Sequence, residues 1–182
     1  MEQIFAPWRI EWVEREPDEE GFEGCTFCAL PEAEGPDREH YLLARGDDAY
    51  VVLNNYPYNP GHAMVIPHAH TGEYTDLDAD TLLAKERLVQ RTIDAMERAL
   101  EPDGYNVGYN LGHSAAGGSI GDHLHAHVVP RWEGDTNFMP AIGDTTVIVE
   151  AVLDTYDRLH DAFETQDGVR GVGDEHAVVV EG

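Results

Sequence analysis

Apolar positions along this chain change their period twice. Between positions 41 and 67 they come in short runs. Residues 41–45 and 49–54 flank Gly46-Asp47-Asp48, a turn composition, and residues 62–67 follow the breakers Pro57, Pro60 and Gly61. Read as strands, the three runs make an antiparallel meander. From Asp78 the spacing turns helical, with Leu82, Leu83, Leu88, Ile93, Met96 and Leu100 recurring, Asp78 placed as a cap and Pro102 as a stop. Residues 105–111 and 123–131 read as two more strands, joined by the glycine-containing loop 112–122, and a second helix is expected from about 146 to 165. The pattern predicts an α+β fold in which one antiparallel sheet carries one long helix and a C-terminal helix. Residues 1–165 form a single domain on this reading, and 166–182 an acidic, flexible tail.

Charge alters that picture more than composition does. The chain holds 36 acidic against 11 basic residues, a net charge of -25, and Lys85 is its sole lysine. So dense a field repels itself at ordinary ionic strength, whereas molar salt shortens the screening length to about 3 Å. The balance points to a salt-accumulating source. It argues against binding a nucleic-acid backbone, which needs clustered cations, but leaves room for a small anionic substrate held by local donors. No apolar run is long enough to cross a bilayer, and residues 1–10 lack a basic head followed by an apolar core, so the expected location is cytoplasmic, with no membrane partner.

The chemistry is concentrated in His123-Leu124-His125-Ala126-His127. Alternation along a strand sends the three imidazoles to one face and Leu124 and Ala126 to the other. By spacing alone the array could be a polar face or a catalytic metal site. The preceding segment Gly112-His113-Ser114-Ala115-Ala116-Gly117-Gly118-Ser119 favours phosphate beside imidazole, because glycines let backbone N–H groups converge on an anion and Ser119 adds a donor. A polar arm, 14–24, leads into Cys25 and Cys28, and C-x-x-C spacing suits metal or redox use.

The span from about Ala6 to Pro140 resembles the histidine-triad (HIT) superfamily, through His-x-His-x-His, the Gly-Gly-Ser loop, Pro60-Gly61-His62 and Val65-Ile66-Pro67 in the family's order. Ala6-Pro7-Trp8-Arg9, Pro130-Arg131-Trp132 and residues 135–140 are similar to the branch of diadenosine tetraphosphate phosphorylases and related hydrolases. The resemblance implies that His125 attacks the α-phosphorus, forming a nucleotidyl-imidazole that water or phosphate resolves. It implies that His127 contacts the phosphoryl oxygens or helps protonate the leaving group, with Ser119 in the catalytic loop. It also implies that Asn54 holds the ribose, that His62 lines the site, and that Asn110, Gly118 and Ser119 contact the phosphates. Many relatives carry glutamine at the place of Ser119, which leaves hydrolysis against phosphorolysis open. Relatives with C-x-x-C imply a structural zinc on Cys25, Cys28, His70 and His123, with His68 as substitute for His70, and the family implies a homodimer and no organic cofactor. Alternative readings are a nucleoside phosphoramidate or adenylylated-small-molecule hydrolase, and a non-catalytic nucleotide-binding module.

Overall fold

The computed structural model describes residues 24–112, 116, 120–135 and 151–181. A short helix α1 (Thr26–Ala29) precedes strands β1 (Leu42–Arg45), β2 (Ala49–Leu53) and β3 (Ala63–Pro67), then the long helix α2 (Ala79–Leu100). Strands β4 (Gly104–Gly108) and β5 (Ala126–Arg131), helix α3 (Val152–Glu164) and strands β6 (Val169–Arg170) and β7 (Val178–Val180) follow. The seven strands form one sheet in the order β4-β5-β3-β2-β1-β7-β6. No helix among the described residues is long and apolar enough to cross a membrane.

Local sequence explains the boundaries. The Asp78 carboxylate accepts from the N–H groups of Asp80 and Thr81, both at 2.9 Å, which caps α2. Its other end stops at Glu101, in left-handed conformation just before Pro102. Leu88, Val89, Ala95, Met96 and Leu100 bury one side of α2 against the sheet, whereas Leu83, expected on that side, stands 52% exposed. Gly61, at φ +84°, allows the turn into β3 to pass beneath Leu100, where a Cβ would collide with that side chain.

Two faces of the sheet are covered differently. Helices α2 and α3 pack on one, over Leu43, Val51, Leu53, Val65, Ala126 and Val128. Leu42, Tyr50, Val52 and Ile66 lie in a second cluster with Phe27 of α1 and Ala177. The register slips between Leu42 and Ala44, a bulge that lets Leu43 and Ala44 both join the helix-side core. His127 sits opposite Met64 of β3 and Gly108 of β4, and its alternation with the buried Ala126 and Val128 turns it away from the face that α2 and α3 cover.

Three expectations need correction. The sheet is mixed, because β7 pairs in parallel with β1. Residues 166–182 are no loose tail over their described part: β6 and β7 extend the sheet, Val178 is fully buried, and the Ala177 N–H donates to the Asp37 carboxylate at 2.9 Å. That carboxylate is held below the usual range: burial alone would raise it, but Arg45, the Ala177 N–H and nearby His176 outweigh that cost. The regular strand also begins at Ala126, so His123, at a bend, and Leu124 and His125 lead into it rather than pairing as ladder residues. The second helix occupies Val152–Glu164, within the expected span.

Candidate active site and metal centre

The lead into β5 is fixed from the side. Leu124 donates its N–H to the Thr71 carbonyl at 2.7 Å, and Gly72 packs so closely on Gly121 that a Cβ would strike its carbonyl oxygen. These contacts bring His70 to His123. His123 donates Nε2–H to the Pro67 carbonyl at 2.8 Å, since a carbonyl only accepts, and its lone pair is thereby placed on Nδ1. Burial, aided by His70 and His125 nearby, holds this imidazole below its ordinary pKa in spite of the Pro67 carbonyl, and favours the neutral form that a metal binds.

Around that nitrogen stand Cys25 Sγ at 3.3 Å, Cys28 Sγ at 3.5 Å and His70 Nδ1 at 3.3 Å, with Cys28 Sγ and His70 Nδ1 3.2 Å apart. The four donor atoms all lie within 4.8 Å of one another. A zinc tetrahedron with bonds of about 2.0–2.1 Å to nitrogen and 2.3 Å to sulfur has edges of roughly 3.3–3.8 Å. The donor set and its spacing therefore fit such an ion. Burial and the adjacent Cys25 raise the Cys28 thiol, a cost that a bound dication would reverse. His68, the substitute ligand, turns away and places Nε2 3.2 Å from the Gly46 carbonyl.

His125 is held in a different tautomer. Its Nδ1–H donates to the His123 carbonyl at 2.9 Å, which makes Nε2 the basic nitrogen. It is not among the converging metal donors. The imidazole is buried, with the Phe27 ring against it and the His127 ring 4.9 Å away, centroid to centroid.

A chain of donors sets His127. The Asn54 Oδ1 accepts from the Tyr56 N–H at 2.9 Å, which turns Nδ2 toward His62 Nδ1 at 3.3 Å. Tyr58 N–H also donates to that nitrogen, at 3.1 Å, so His62 Nδ1 is the acceptor and Nε2 carries the proton. His62 Nε2–H then donates to His127 Nδ1 at 2.9 Å and leaves the His127 proton on Nε2; Asn110 Nδ2, itself a donor, lies 3.3 Å from that nitrogen, so in this tautomer the two groups are neighbours rather than donor and acceptor. Tyr58 stacks on His62 with ring centroids 4.8 Å apart.

The structure thus brings together His125, His127, His62, Asn54 and Asn110 on one side and Cys25, Cys28, His70 and His123 on the other, joined through residue 123. Gly118 and Ser119 lie outside the described residues, as do His113 and the segments 6–9 and 136–140. Sequence reasoning missed Phe27 and Tyr58. An aromatic between two cysteines and another between two prolines were the available signals, but neither carries chemistry of its own.

An alternating-histidine run entering an interior strand, on the sheet face opposite the two longer helices, defines a histidine-triad protein. The HIT domain family profile matches residues 37–134, and the chain belongs to that family. It is similar to an AP-4-A phosphorylase of Mycobacterium tuberculosis, 40% identical over 163 residues that span 85% of this chain and 80% of the relative. Among solved structures it is similar to a Zn-bound histidine triad family protein of Mycobacterium smegmatis, at TM-score 0.62 and 27% identity, over 77% of this chain and 93% of that one. It is also similar to a hypothetical histidine triad nucleotide-binding protein of Sulfolobus tokodaii, at TM-score 0.58 and 30% identity, over 76% and 89% respectively.

Proposed function

We propose that this HIT-family enzyme, a nucleotide hydrolase or phosphorylase, cleaves a phosphoanhydride of a dinucleoside polyphosphate of the diadenosine tetraphosphate kind. The observation that carries the reading is the His125 tautomer, with Nδ1–H on the His123 carbonyl and the lone pair on Nε2. A neutral imidazole so oriented attacks the α-phosphorus through Nε2. The P–N bond forms, the P–O bond to the rest of the polyphosphate breaks, and the leaving chain departs as a phosphate anion. The positive charge gained by His125 is met by the carbonyl on Nδ1–H. Water or inorganic phosphate then displaces the imidazole, regenerating His125. His127 Nε2–H, oriented by His62, donates to a phosphoryl oxygen as charge builds on it. Asn54, which fixes His62, is also the residue proposed to hold the ribose, while Asn110, Gly118 and Ser119 contact the phosphates. The name of the Mycobacterium tuberculosis relative supports the substrate class.

Zinc on Cys25, Cys28, His70 and His123 supplies structure, tying α1 to the lead into β5. The reading includes a homodimer formed at the outer edge of β4, where Val107 is 47% exposed and which among the described residues pairs only with β5. It also includes a cytoplasmic, salt-adapted protein.

The test is turnover of diadenosine tetraphosphate and of an adenosine phosphoramidate, each with and without inorganic phosphate, for wild type and His125→Ala. The expected result is cleavage of the polyphosphate, loss of turnover in His125→Ala, and nucleotide binding kept by the variant. Exclusive cleavage of the phosphoramidate, or an active His125→Ala, overturns it.

A further inference from the structure

Phe27 lies between the two cysteines, and its position is over-determined. Its backbone belongs to α1, where Cys28 and Ala29 donate their N–H groups to the Cys25 carbonyl, each at 3.1 Å. Its carbonyl accepts from the hydroxyl of the fully buried Tyr50 at 2.7 Å, which pins the turn to β2. Its ring meets two members of the triad edge-on, with centroids 5.0 Å from His125 at 62° and 5.7 Å from His123 at 87°. The side chain is only 6% exposed, so little of the ring is left for a substrate to touch.

The Nδ1–H bond to the His123 carbonyl fixes one nitrogen of the His125 ring, and packing around the ring limits the swing about that bond. The ring edge of Phe27 closes one side of that swing, and aromatic pairs in this geometry contribute about 0.5–1.5 kcal/mol beyond area burial. Phe27 itself is held by the backbone of the Cys25–Cys28 turn and by the Tyr50 hydroxyl.

We infer that Phe27 is a positioning residue for the nucleophile: its ring passes the geometry of the cysteine turn to His125, so alignment of Nε2 depends on the metal-bearing segment. The inference rests on the proposed role of His125 but is tested separately from it. Phe27→Leu keeps an apolar side chain without the ring edge, Phe27→Tyr restores the ring, and Phe27→Met serves should the leucine variant fail to fold.

In Phe27→Leu we expect kcat to fall about 10-fold or more with KM within about twofold, while zinc content by atomic absorption stays as in wild type. Phe27→Tyr recovers most of kcat. Independently of any substrate, 15N-edited NMR of the histidine rings reports a single Nδ1–H tautomer for His125 in wild type and a mixture in Phe27→Leu. Unchanged kcat with an unchanged His125 signal overturns the inference. A rise in KM at constant kcat also overturns it, because the ring would then touch substrate, as does zinc loss in Phe27→Leu. If wild type turns over no nucleotide, the proposed function fails and the tautomer signal alone decides the role of Phe27.

Discussion

The histidines at 62, 123, 125 and 127 differ in what meets each ring nitrogen. Carbonyl oxygens on His123 Nε2 and His125 Nδ1 assign one a lone pair on Nδ1, toward the cysteines, and the other a lone pair on Nε2. For His62 and His127 the assignment propagates from two donors on His62 Nδ1. Replacing His62 by alanine removes the partner of His127 Nδ1 and frees that ring to turn. We expect kcat to fall about 100-fold with KM little changed, measured by steady-state kinetics on the polyphosphate. The alternating histidines and the C-x-x-C pair stand out in the sequence through unusual spacing and residue type, whereas the convergence of His70 and His123 with Cys25 and Cys28, seen in the fold, was implied by the family resemblance. The donor chain through Tyr58 was not, because a backbone N–H has no sequence signature.

At the scale of elements, the cysteine turn and the C-terminal strands behave as clasps. The four metal donors bind an ion only as thiolates and neutral imidazoles, and the Cys28 thiol is raised. Metal loading should therefore fall as pH falls, and zinc retained after dialysis against a series of acidic buffers gives the profile. A chelator at neutral pH should lower the unfolding midpoint. Val178 is fully buried in β7 beside Ala44. Val178→Ala should destabilise by about 2 kcal/mol in denaturant titration, whereas a flexible tail would show almost none. The meander, α2 and β5 were readable from periodicity, since each is long enough to show its period. Strands of two and three residues set among glycines and acids show none, and β7 joins the main sheet because β1, far back in the chain, offers its edge.

Across the whole molecule, the single lysine is buried, and its ammonium is met by the Glu86 carboxylate and the Tyr109 hydroxyl. Every exposed side-chain cation apart from histidine is therefore an arginine. With a net charge of -25, screening should matter more than any one ion pair, and the unfolding midpoint at pH 7 should rise from dilute buffer to molar potassium chloride. A midpoint independent of salt would remove the halophilic reading. Acid works against this gain. Asp135 is held at about 2 by the Arg131 fork, with the Trp132 N–H and the Asn59 amide adding to it against some burial. Its folded value lies below the unfolded one of about 3.9, so its contribution is complete above that value and is lost as pH falls from about 4 toward 2.

Because β7 completes the sheet beside β1, the order of synthesis matters. The ribosome releases β1 more than a hundred residues before the strand that covers its outer edge exists. Through that interval a nascent chain presents an unpaired edge that is apolar over Leu42, Leu43 and Ala44, the kind of surface on which neighbouring chains aggregate. Co-translational folding can finish the meander, but closure waits for residue 180, and truncated translation products should be handled as unfolded protein.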